Sequence, residues 1–208
     1  MFYTSQPSNV LHFGDVLRGF FSAIPVVKEP PFTLSKKYEI ELDLPEFYVI
    51  MDPCCQIRNF SISVTPLVPV LCSLFDNQYL AEDPTRINKV MKPEQSVPAH
   101  IWESFSEEEK AKRLRVGERY AFVTLFVYEQ NDHLQKHICR KGKEDFETGY
   151  YMIDFRRSHR VNCEKIISPE KSPLELKVLE LSAETRQELS DKIISYFAIA
   201  EGEQVEEE

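Results

Sequence analysis

Two apolar runs separated by a polar turn constrain this chain more than any other feature. Phe47-Tyr-Val-Ile-Met51 is continuously apolar, and Ser61-Ile-Ser-Val-Thr-Pro-Leu-Val-Pro-Val70 is rich in β-branched side chains. Short runs of this kind, bounded by turn residues, predict central strands of a sheet covered on both faces. Prolines at 66 and 69 predict a bend or an edge in the second strand, since proline offers no ladder N–H. The turn between them carries Cys54, Cys55, Arg58 and Asn59.

The rest of the chain extends a β pattern. Residues 10–27 read as two short strands around glycines, with Gly14-Asp15 where a strand begins and Gly19 at a bulge or bend. Tyr38–Leu44 alternates apolar and acidic residues, which predicts a half-buried strand. Tyr120–Tyr128 is the strongest buried-strand pattern, and Tyr150–Phe155 follows it after a basic loop, His133–Lys143.

Two helices have clear signals. Ser106 and Glu109 make a capping box, acids fill the first turn, bases the last, and Gly117 stops the helix. Ser182 caps a C-terminal helix with Leu189, Ile193 and Phe197 at i, i+4 and i+8, and Ile194 beside them. Lys177–Leu181 leads into it as a strand or extended arm. Asp76–Pro98 reads as irregular, apart from a turn or helix start at Asp83-Pro84, where Asp83 can cap and Arg86 can pair with an acid. Trp102, with Ile101 and Phe105, is read as an anchor for this region, and Phe20-Phe21 likewise as packing. The fold class is therefore mainly β (α+β). Residues 1–200 form one domain with an insertion at 72–119, and residues 201–208 form a disordered acidic tail.

The formal charge of −9 is uneven, because the last eight residues hold five glutamates and no base. That leaves about −4 on the body, which argues against a general nucleic-acid binder. No signal peptide and no membrane span is legible, so no membrane partner is expected. Five cysteines, an odd number without a Cys-x-x-Cys pair, fit reduced thiols in the cytoplasm better than a disulfide framework.

Three groups of side chains have chemistry to offer. Cys54-Cys55 would need a base or a positive field, from Arg58, His12, His137 or His159, to act as a nucleophile. The same residues also read as small side chains in a tight turn. Zinc would draw on Cys54, Cys55, Cys139, Cys163, His137 and His159, but the paired close spacings of zinc motifs are absent, so no metal or cofactor is assigned. Arg156, Arg157, His159 and Arg160 follow a strand beside Asp154 and could bind a phosphate with arginine forks. They also read as charges alternating toward solvent. With Lys136–Lys143 they would form a basic face on an acidic protein.

The order Gly14-Asp15-Val16, a strand ending near Met51, a polar turn and Ser61–Val70 resembles the PemK/MazF-like family. Tyr150-Tyr-Met-Ile-Asp-Phe-Arg156 and Leu179–Leu189 supply that family's closing strand and helix. The resemblance implies an SH3-like small β-barrel with a mid-chain helical insertion, and a bacterial toxin–antitoxin or defence setting. It also implies an endoribonuclease site with an arginine at the second core strand and a hydroxyl at the end of the next. Pro45-Glu46-Phe47 holds no such arginine. Arg58, beyond the strand, and Thr65 are the nearest candidates for the catalytic pair. The first expectation is thus a non-catalytic or partner-dependent protein that binds a protein partner, with a homodimer as one form. The second is a divergent endoribonuclease acting on RNA through Arg58, Thr65 and Arg156 or His159. The third is a cysteine-dependent hydrolase.

Overall fold

The two central apolar runs do form neighbouring strands. The structure, a computed structural model, describes residues 1–19, 24–27, 40–53, 61–141, 143–162 and 173–203. Its first strands are β1 (Val16–Arg18), β2 (Ile24–Val27), β3 (Ile40–Asp43), β4 (Phe47–Ile50) and β5 (Ser61–Pro69). Next come β6 (Val90–Met91), α1 (Ala99–Ser104), α2 (Glu107–Val116), β7 (Arg119–Tyr120) and β8 (Leu125–Tyr128). The chain ends with β9 (His137–Lys141), β10 (Glu144–Thr148), β11 (Tyr151–Asp154), β12 (His159–Asn162), β13 (Lys177–Leu179) and α3 (Ala183–Glu203).

Antiparallel pairing builds a sheet in the order β13-β1-β4-β5-β11-β8, with β12 also on β5. β5 is long enough to serve two partners on one edge. Ser61–Val64 pair with β12, and Val68–Pro69 pair with β11. The change of partner falls at a 3-10 turn, Phe155–Arg157, and near Pro66.

Period-two alternation sorts the core. Val16, Phe47, Val49, Leu67, Phe126, Tyr128 and Ile153 share one face with Leu189 of α3. Leu17, Tyr48, Ile50, Ile62, Val64 and Val161 lie on the other face. All four residues of β4 are buried, as a strand covered on both faces requires.

The region 72–119 departs most from expectation. Two 3-10 turns, Cys72–Asp76 and Pro84–Asn88, bury Leu74, Phe75 and Ile87, while Leu80 and Met91 join them against Leu125, Val127 and Met152. Prolines and polar residues hid this, because 3-10 turns carry no long apolar period. Asp83 caps its turn as expected, accepting from the Thr85 N–H at 3.0 Å, and Arg86 lies 3.8 Å from Glu82. Asn88 then stands along the free edge of β8, donating to the Val127 carbonyl at 2.7 Å and accepting from its N–H at 2.8 Å. One side-chain amide thus serves as a one-residue strand on an edge that no other described strand covers.

Other expectations are corrected. The Tyr120–Tyr128 strand starts only at Leu125, because Phe122 takes a φ of +48° in a turn. The basic loop His133–Lys143 contains β9, which forms a hairpin with β10. Trp102 stacks edge-on against Phe105 at 5.9 Å, and α1 buries none of its residues, so it does not anchor the insertion in the core. α3 continues to Glu203, past the expected end at residue 200, and exposes Ile194 and Phe197, so its packed face runs through Leu189, Lys192, Ile193 and Tyr196. Cys72 and Cys139 form a disulfide, with Cα atoms 5.3 Å apart, against the expectation of five free thiols. The spacing of 67 residues held no motif that could reveal it.

Candidate functional site

The densest cluster of charge begins at Gly14-Asp15. Gly14 has a φ of +88°, and a Cβ there would stand 2.5 Å from Leu181, so only glycine lets the chain pass this close to β13 and α3. The turn buries Asp15 completely. Its Oδ2 accepts from the His12 N–H at 2.8 Å and from Lys177 Nζ at 2.8 Å. Lys177 also donates to Glu180 Oε2 at 2.6 Å and to the carbonyls of Val10 and Ser8 at 2.8 and 3.2 Å. Arg186 of α3 reaches Glu180 Oε1 at 3.2 Å. Two acids and two bases therefore tie the N-terminal arm, β1, β13 and α3 together.

Burial drives Asp15 above the usual carboxylate range, against the pull of Lys177 and the His12 N–H. Burial pushes Glu180 the same way, but hydrogen bonds from Lys177 and Ser8 prevail and hold it at about 2. His12 Nδ1 lies 3.3 Å from Glu180 Oε1 and 3.8 Å from Asp15 Oδ2, and Ser8 Oγ is 3.4 Å from that same nitrogen. A Ser-His-acid relay needs one ring nitrogen for the hydroxyl and the other for the acid. Here a single nitrogen faces both, so the relay cannot run. The ligand atoms of His12, Asp15 and Glu180 fall within 4.8 Å of one another, a spacing a divalent cation could use. The Lys177 ammonium already holds both carboxylates, so the cluster is a clamp whose cation is built in. Its members lie about 160 residues apart, and no sequence motif links them.

The sequence-derived candidates scatter over both faces of β5. Thr65 is fully buried on the face shared with Val49, and its hydroxyl bonds that of Ser158 at 2.5 Å. His159 pairs with Val64 and points to the opposite face, its ring 6.1 Å from that of Tyr48. Arg156 is clasped by Asp154 through contacts of 2.6 to 3.1 Å, which raises the arginine and, against burial, lowers the aspartate. Arg160 donates to Ser61 Oγ at 3.0 Å, and the His159 ring lies 3.2 Å from the Arg157 carbonyl. Arg58, Cys54, Cys55 and Cys163 lie outside the described residues. Cys139, offered above as a zinc ligand, has its sulfur bonded to Cys72.

What the described surface offers instead is apolar. α2 buries none of its residues, and Leu114 and Val116 are 53% and 59% exposed. Arg113 of α2 lies 4.3 Å over the Phe105 ring and lines an open groove of about 510 Å³ with Arg119, Tyr120, Phe122, Val123 and Thr124. Phe122, the residue with the unusual φ, is 50% exposed there. Sequence reading passed over this surface because α2 has the composition of an ordinary solvated helix. No helix among the described residues is long and apolar enough to cross a membrane. The chain matches no family, no curated protein and no solved structure.

Proposed function

We propose that this chain is a non-catalytic or partner-dependent interaction protein on a PemK/MazF-like small barrel. The carrying observation is α2, a ten-residue helix that buries none of its residues, exposes Leu114 and Val116, and lends Arg113 to the groove that holds Phe122. A helix of this composition is stabilised locally by its Ser106–Glu109 capping box and the Glu107–Lys110 pair, so it stands ready before a partner arrives. Exposed apolar groups gathered beside arginines are the ordinary core of a protein interface. The barrel reading draws its support from β5, a long strand that pairs with β12 along Ser61–Val64 and with β11 at Val68–Pro69. The toxin–antitoxin setting rests on the family resemblance alone.

Saturated polar groups also favour this reading over the ribonuclease. Thr65 is bound to Ser158, Arg156 to Asp154, and His159 faces away from Thr65. Proton transfer requires partners within about 3 Å in one groove. The test compares wild type with Leu114→Asp/Val116→Asp as bait in co-purification, beside incubation with mixed RNA with and without EDTA. Recovery of a protein by the wild type alone, with intact RNA, supports the proposal. RNA cleavage abolished by Arg58→Ala would replace it with the endoribonuclease.

A further inference from the structure

Cys72 and Cys139 join the turn after β5 to the β9–β10 hairpin, two segments with no ladder between them among the described residues. Cys72 opens the 3-10 turn Cys72–Asp76, and Cys139 sits in the middle of β9. Their surroundings are unequal. Cys139 is fully buried among Val70, Leu74 and Met152, whereas Cys72 is only half-buried. The β9–β10 hairpin pairs only with itself among the described strands. Apart from this bond, the packing of Phe75 edge-on against Phe146 at 4.9 Å holds the turn to the hairpin. At its base the hairpin also packs His137 edge-on against Tyr151 at 5.3 Å and buries Thr148, whereas its far end is exposed, with Arg140 paired to Asp145.

We infer that Cys72–Cys139 is a reversible oxidation site, with Cys72 as the attacked sulfur, Cys139 as the resolving one and the β9–β10 hairpin as the element it locks. The oxidant is a small hydroperoxide. The Cys72 thiolate attacks the peroxide's terminal oxygen and cleaves the O–O bond, giving a sulfenic acid and, with one proton, water or an alcohol. The Cys139 thiolate then attacks that sulfur, the S–O bond breaks, and hydroxide leaves as water with the proton Cys139 gave up. Two thiols and one peroxide thus become one disulfide. A small dithiol reverses it by attack at Cys72, the reachable sulfur, and is itself oxidised to its disulfide. Unequal exposure sets the order, since a reagent in solution meets Cys72 first. The hairpin is the natural responder because, among the described residues, no ladder joins it to the sheet and Cys72–Cys139 is the disulfide that ties it to the turn after β5.

The experiment uses the intact protein, reduced with dithiothreitol, desalted and treated with hydrogen peroxide at a few equivalents. Peptide mapping without reductant is expected to recover Cys72 and Cys139 peptides joined, two mass units below their sum, and dithiothreitol is expected to separate them. Amide exchange across 137–148 is expected to slow about tenfold on oxidation and to recover on reduction. Dimedone, a sulfenic-acid trap, is expected to label Cys72 in Cys139→Ser and to leave Cys139 unlabelled in Cys72→Ser. Pairing of either cysteine with Cys54, Cys55 or Cys163, labelling of Cys139 first, or unchanged exchange in the hairpin would overturn the inference. Mapping and exchange both use the wild-type chain, so they decide even if a serine variant fails to fold.

Discussion

Replacing Lys192 with methionine should make the protein more stable at neutral pH. Lys192 lies on the packed face of α3 with no exposed surface. Its Nζ donates to the Ile87 carbonyl at 2.5 Å and stands 5.7 Å from the Tyr120 ring. No carboxylate pairs with it in the described structure. Glu188, one turn away, is engaged by Lys89 at 3.2 Å, and Asp191 bonds Gln187. Burial pulls the ammonium down to about 7. In the unfolded chain it titrates near 10.5. Between these values the unfolded state binds more protons, so stability rises with pH across the window from about 7 to 10.5. At about 1.4 kcal/mol per pH unit, the charge opposes folding by about 5 kcal/mol at pH 6. Methionine removes that penalty and leaves the Ile87 carbonyl without its donor, at a cost of about 1–3 kcal/mol. The net expectation is a gain of about 2–4 kcal/mol at pH 6, shrinking to about zero by pH 9. Urea unfolding of both proteins at pH 6, 7, 8 and 9 measures the difference, which cancels every other titrating group. Parallel pH profiles, or a variant weaker than wild type at pH 6, would refute the reasoning.

Lys177→Met strands the buried Asp15 and leaves Glu180 to Arg186 and Ser8, and should cost about 3–5 kcal/mol by urea unfolding, with partial recovery on adding Asp15→Asn. Glu180, held at about 2 by its hydrogen bonds, contributes stability that is present above pH 4.5 and drains away as pH falls toward 2; Glu180→Gln should flatten that acid limb. Asn88→Ala leaves the N–H and carbonyl of Val127 unpaired, and a loss of about 2–4 kcal/mol is expected with selective deprotection of β8 in hydrogen exchange. Gly14→Ala combines a left-handed backbone with a Cβ driven onto Leu181, and should lower the unfolding free energy by about 2–4 kcal/mol, seen as a lower urea midpoint at unchanged slope.

The strands that were legible share one property: both their faces, or one face in strict alternation, are apolar. β4 and β5 announced themselves this way, and α2 did so through its capping box, because these signals lie within a few residues of one another. The segment 120–124 misled because apolar composition cannot report a positive φ at Phe122. The insertion misled for the opposite reason: its buried residues arrive in ones and twos, as Leu74-Phe75, Leu80, Ile87 and Met91, each from a different short segment.

Local sequence was thus enough to determine the β-rich class, the central strand pair, the capped helices and the strand start at Gly14-Asp15. Tertiary structure alone decided which distant groups meet. Asp15 finds Lys177, Asn88 finds Val127 and Cys72 finds Cys139 only because the sheet brings their strands together. The same folding turned Thr65 and His159 to opposite faces. Alternation along a strand can be read from sequence, but the register that pairs it with a partner far along the chain is set by the packed sheet as a whole.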